Sequence, residues 1–180
     1  MRTTAAEVAY EDQMRRRMID GIRRMGCWCT YVFGDGDACE CEECGELGPP
    51  PGAVVPSTTP RPPFCYTTGL HGIGHPELIV HALSQSDSGH LLNVATQRVL
   101  RGSDFLPGEV VDLDGLLVTV EEVPNPGAIF FVANDFYGRP PHASVEGLQL
   151  TWADETGAFP WDDHCSPWAR TQPRPGEYRA

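Results

Sequence analysis

Nowhere does the sequence contain an apolar run approaching the roughly 20 residues that span a bilayer, and its first 25 residues lack the apolar core of a secretory signal. A membrane-embedded or exported protein is not expected; the default compartment is the cytoplasm. Basic charge is also scarce: 13 Lys plus Arg stand against 25 Asp plus Glu, a formal net charge of -12. Such a field repels phosphate backbones and anionic lipid head groups, so neither nucleic acid nor a membrane surface is an expected partner. Gly69, Gly72 and Gly74 lack the lysine of a phosphate-binding P-loop, and no dinucleotide fingerprint accompanies them. The paired C-x-x-C of zinc ribbons is missing as well.

What remains is a chain of 180 residues, enough for one domain that buries roughly two-thirds of its unfolded surface without metal or disulfides. Cysteine is the exception to the ordinary composition. There are seven, and five fall between Cys27 and Cys44. In a reducing compartment such clustering points to metal or redox chemistry before structural disulfides.

Ala6, Val8, Met14, Met18, Ile22 and Met25 recur at helical spacing, which predicts an amphipathic helix ending at Gly26, with Arg15, Arg16, Arg17, Arg23 and Arg24 on a solvated face. This N-terminal helix, residues 1–26, precedes one α+β domain over 27–180. Cys27–Phe33 reads as a first strand, and the acidic, Cys-rich and Pro-rich stretch at about 35–62 as a long inserted loop. Phe64–Leu70 and Glu77–Leu83 read as two further strands. Ser86, Asp87 and Ser88 supply an N-cap for a helix that Gly102 closes. Val110–Leu113 and Leu116–Val123 form a hairpin across Asp114-Gly115. Pro126–Tyr137 is read as a helix capped by Asn125, and Val145–Trp152 as the last strand. The expected fold is α+β, a single domain with a mainly antiparallel sheet flanked by two or three helices.

The segments FCYTTGL, GHPEL, LLN, PGE, Phe136-Tyr137-Gly138, LQLTWAD and FPWD occur in this order. Together they closely resemble domain-of-unknown-function family 4262, from about residue 10 to the C-terminus. The resemblance implies a small bacterial domain, without an established activity, in which Tyr66, Thr67, Gly69, His75, Pro76, Glu77, Asn93, Tyr137, Gln149, Trp152, Asp154 and Trp161 matter. Members pass from the first strand to the FxYTxGL strand by a short connection, so the Cys/Pro-rich tract is a departure from the pattern. The middle of the chain is also loosely similar to Suppressor-of-fused-like domains, which act through protein contacts.

Three groups of residues carry candidate chemistry. His75 and Glu77 follow a hydroxyl-rich strand, so they can act as a base and its orienting carboxylate with Tyr66 or Thr68 nearby. Equally, His75 can cap the turn while Glu77 bonds exposed backbone amides. Cys27, Cys29, Cys39, Cys41 and Cys44 offer five thiols for a tetrahedral Zn. Alternation along a strand puts Cys27 and Cys29 on one face, which suits ligation or core packing alike. Trp152, Asp154 and Trp161, with Thr67, Thr68, Gly69, Tyr137 and Gln149, are candidate ligand-binding residues. Aromatic walls and a few acids suit a cationic or sugar-like ligand, although both tryptophans can instead clamp the C-terminal tail onto the sheet.

A coherent fold without a complete catalytic set favours a binding module for a protein or small ligand. The alternatives are a small enzyme using Tyr66, His75 and Glu77, and a Zn module built on the cysteine cluster.

Overall fold

The computed structural model describes residues 4–34 and 61–177. Helix α1 (Ala5–Met25) begins with a capping box, in which the Thr4 hydroxyl accepts the Glu7 amide and the Glu7 carboxylate accepts the Thr4 amide. Gly26 ends it in a left-handed conformation. Strands β1 (Trp28–Val32), β2 (Phe64–Thr68) and β3 (Glu77–His81) follow, with a 3-10 turn at Leu70–Ile73 between the last two. Helix α2 (Gln85–Leu100), the hairpin β4 (Val110–Leu113) and β5 (Leu116–Glu122), helix α3 (Phe131–Phe136) and β6 (Gly147–Trp152) complete the main elements.

The six strands form one sheet in the order β1-β2-β3-β6-β5-β4. Only the β3–β6 pair is parallel; the other neighbours run antiparallel. The fold is therefore a single-domain α+β structure with a mainly antiparallel sheet, as the sequence pattern implies. Among the described residues no helix is long and apolar enough to cross a membrane.

Residue alternation divides the core in two. Cys65, Leu78, Val80, Val118, Val120, Leu148, Leu150 and Trp152 face one side, where Leu91, Leu92, Ala95 and Val99 of α2 cover them. Phe64, Tyr66 and Ile79 face the other side and pack with Ile129, Phe130, Ala133 and Val145. Helix α1 joins this second face through Gly21, where an added Cβ would lie 2.8 Å from the Trp28 ring.

Three local expectations need adjustment. The N-cap of α2 is Ser84, whose hydroxyl accepts the Asp87 amide, two residues before the Ser-Asp-Ser group. The helix expected over Pro126–Tyr137 is a 3-10 turn at Pro126–Ala128 followed by the short α3, and Asn125 makes no side-chain cap. The break at Ile129 and Phe130 lets both residues enter the core beside Ala133. Finally, the basic face of α1 is not wholly solvated: Arg15 donates to the Phe136 carbonyl at 3.0 Å and lies 4.9 Å over its ring.

Candidate functional site

The turn after β2 is built around one buried carboxylate. Glu77 is fully buried, and its Oε1 accepts the amides of Gly69 at 2.8 Å and His71 at 3.1 Å. Its Oε2 accepts the Thr67 hydroxyl at 2.6 Å and the Leu70 amide at 3.3 Å. A carboxylate offers about four lone-pair positions, so these four donors use its capacity. The Thr67 hydroxyl in turn accepts the Leu78 amide at 2.8 Å. Gly69 makes the turn possible: its φ is 140°, and a Cβ there would meet the Gly26 carbonyl oxygen at 2.9 Å.

His75 and Tyr66 are engaged elsewhere. His75 is 6% exposed, with Nδ1 2.7 Å from the Pro76 carbonyl. A carbonyl only accepts, so Nδ1 is the donor there; Nε2 is buried and has no hydrogen-bond partner among the described residues. Phe105 packs against the ring, with centroids 6.0 Å apart. The Tyr66 hydroxyl accepts the Val132 amide at 3.2 Å, and burial raises its pKa. It sits on the α3 side of the sheet, whereas Thr67 faces the opposite side. The structure thus brings Thr67, Gly69 and Glu77 together but turns the Tyr66 hydroxyl to a separate partner. Thr68 is fully buried, its hydroxyl without a partner among the described residues.

Tyr137 closes the turn from outside. Its hydroxyl accepts the Gly72 amide at 3.1 Å, and its ring meets His71 edge-on at 4.9 Å. Burial first, then the Glu77 charge, raises its pKa.

The remaining candidates serve the C-terminal segment. Gln149 donates to the Thr151 hydroxyl at 3.0 Å and the Pro173 carbonyl at 2.7 Å. Trp152 is buried and donates through Nε1 to the His81 carbonyl at 2.9 Å, at the opposite end of β3 from Glu77. Asp154 organises its own loop, accepting the Thr156 hydroxyl at 2.6 Å and the Ser166 amide at 2.7 Å. The Thr156 hydroxyl and then the Ser166 amide hold its carboxyl well below the usual range. Trp161 is 46% exposed, stacked on Phe159 at 5.1 Å and covered by the Arg174 guanidinium at 4.4 Å.

Cys27 and Cys29 do share a face, with their sulfurs 3.9 Å apart. The Thr96 hydroxyl donates to the Cys27 sulfur at 3.2 Å, and the Asn93 side-chain oxygen lies 3.9 Å from it. The Cys29 contact and burial push the Cys27 thiol up. For Cys29 the Cys27 contact acts downward, but Cys65 and burial outweigh it and hold the thiol at about 12. Cys39, Cys41 and Cys44 lie outside the described residues. Among the described residues no group of three or more His, Cys, Asp or Glu is placed to hold a metal ion.

A cavity of about 650 Å³ opens between α1 and α3, walled by Tyr10, Met14, Met18, Phe131, Val132 and Phe136 and rimmed by Glu11, Asp12, Arg15 and Asp135. Tyr10 is 63% exposed and Phe131 50%. The available signal was an aromatic at position 10, one turn before Met14 on the helix's apolar stripe, but only the fold shows what faces it.

Residues 21–166 match the model of a family described as Domain of unknown function (DUF4262). No curated protein matches the chain, and no solved structure does.

Proposed function

The chain belongs to the DUF4262 family, and on that premise we propose that it is a partner-binding module whose docking face is the groove between α1 and α3. The observation that carries the reading is the pair of exposed aromatics, Tyr10 and Phe131, on the walls of an apolar cavity. Binding energy concentrates on such aromatic anchors. Exposed, contiguous apolar surface is also the common mark of a partner site.

The rim specifies the sign of the partner. Glu11, Asp12 and Asp135 are exposed, while the one cation, Arg15, is already satisfied by the Phe136 carbonyl and ring. The net charge of -12 adds long-range attraction for a cationic segment and repels nucleic acid and anionic membranes. Two helices bordering a groove suit a third, so the occupant is a basic amphipathic helix laying its apolar side chains between them. The α1 wall from Tyr10 to Met18 precedes the matched residues 21–166, whereas the α3 wall lies within them.

A titration tests the reading. A fluorescent amphipathic peptide with leucines on one face and lysines on the other should bind, and Phe131→Glu should abolish the binding. Equal binding of a twin peptide with glutamates for lysines, or no effect of Phe131→Glu, would refute it.

Zn ligation is the second reading, supported by the 3.9 Å separation of the Cys27 and Cys29 sulfurs on one strand face. Bound Zn would supply the deprotonation that burial opposes. About one Zn per chain in anaerobically purified protein, lost in Cys29→Ser, is the expected result; metal-free protein removes this reading.

A further inference from the structure

The groove between α1 and α3 contains a cation site that the chain fills with its own side chain. Phe136 ends α3, and the residue four positions on, where a continuing helix would supply the next amide, is Pro140, which has no N–H. The Arg139 amide is taken by the Asn134 carbonyl. The sequence thus leaves the Phe136 carbonyl to a donor from outside the helix, and Arg15 is that donor, at 3.0 Å. The same guanidinium lies 4.9 Å over the Phe136 ring, which Tyr137 meets at a right angle with centroids 5.0 Å apart. A carbonyl beside an aromatic face suits a planar guanidinium, which stacks and donates in its plane at once; the point charge of an ammonium matches it less closely.

Arg15 holds this place loosely. Its residue is exposed and forms no ion pair among the described residues. Asp135, exposed on the same rim, has no ion-pair partner among them either. A guanidinium arriving from outside finds the same carbonyl and ring, with a carboxylate beside them.

We propose that Arg15 is a latch over the docking groove, and that the partner helix carries an arginine of its own which displaces it from the Phe136 carbonyl and ring and pairs with Asp135. This rests on the α1–α3 groove being the docking face, and it adds the side chain that the partner must present. The sign of one substitution separates a latch from a simple clamp. A clamp tying α1 to α3 shapes the groove, so its removal weakens binding. A latch competes with the partner, and its removal tightens binding.

Two fluorescent amphipathic peptides, alike except for arginines or lysines on the polar face, are titrated with the full chain at ionic strength on the order of 0.15 M, where surface fields are screened beyond about 8 Å. The arginine peptide should bind the parent more tightly than the lysine peptide. Arg15→Ala should tighten the arginine peptide a further 2- to 5-fold or so, the range that releasing an exposed cation–ring contact spans. Arg16→Ala removes the same charge from an exposed position of α1 that does not line the cavity, and should show no such gain. Phe136→Leu keeps apolar bulk without the ring; with its fold checked by circular dichroism, it should erase the arginine preference. Equal binding of the two peptides, both still abolished by Phe131→Glu, would overturn the latch and leave the groove standing. An Arg15→Ala chain that binds no better than the parent or than Arg16→Ala would also overturn it, and failure of both peptides to bind would remove the latch and the docking face together.

Discussion

The Thr67 hydroxyl and the Glu77 carboxylate, 2.6 Å apart and fully buried, fasten the end of β2 to the start of β3. Three turn amides join them on the same carboxylate. Replacing Glu77 with Ala strands several buried donors at about 1–3 kcal/mol each, so Glu77→Ala should destabilise the fold by about 3 kcal/mol or more. Glu77→Gln should cost less, because one amide oxygen still accepts while the NH2 opposes the Leu70 amide. Urea denaturation measures both. A Glu77→Ala protein as stable as the parent would contradict the structural role and reopen a chemical one.

Gly69 is the second point on which this turn depends. At φ 140° an alanine is strained, and its Cβ would press on the Gly26 carbonyl. Gly69→Ala should therefore lose at least about 1–3 kcal/mol from backbone strain. Gly74 also has positive φ but open space around it. Gly74→Ala should be the milder change in the same denaturation assay.

How much of this was legible follows from how local each signal is. The Asp114-Gly115 hairpin was readable because its turn needs two left-handed residues, and the backbone has φ 58° and 89° there. The boundary of α1 was readable from its apolar stripe and Gly26. The role of Glu77 was legible only as one of two options, since sequence proximity to the Gly69–His71 amides cannot say which way a side chain turns. The α1–α3 groove was not legible at all. Arg15 and Phe136 are 121 residues apart, and no periodicity links them. The break before α3 was hidden because Asn125-Pro126 resembles a helix start, whereas tertiary burial of Ile129 and Phe130 decided the outcome.

His81 makes stability depend on pH. Burial lowers its pKa from 6.5 to about 3. The neutral form is thus favoured in the fold, so stability is highest above the unfolded value near 6.5 and falls as pH drops towards 3, by a few kcal/mol in order of magnitude. Carboxylates add their own loss below about pH 5. The slope between pH 7 and about 5 should accordingly flatten in His81→Gln. An unchanged slope would contradict the assignment.

The Cys27 and Cys29 thiols should be slow to react. Both are held protonated near neutral pH, and Cys27 is 3% exposed. Brief maleimide labelling of native protein at about pH 8, near the free thiol pKa, followed by peptide mass mapping, should leave both unmodified. Unfolding in urea should expose them. Rapid native labelling of Cys27 would show that this thiol is more accessible than its packing against Thr96 allows.

The most direct measurement of the docking face is an NMR titration of the 15N-labelled chain with the leucine-lysine peptide. Amide shifts should concentrate in α1 around Tyr10–Met18 and in α3 around Phe131–Phe136, and Tyr10→Ala and Phe131→Ala should each weaken binding by about 1–2 kcal/mol, roughly 5- to 30-fold. Shifts centred elsewhere, or binding that survives both substitutions, would contradict the α1–α3 groove as the binding site.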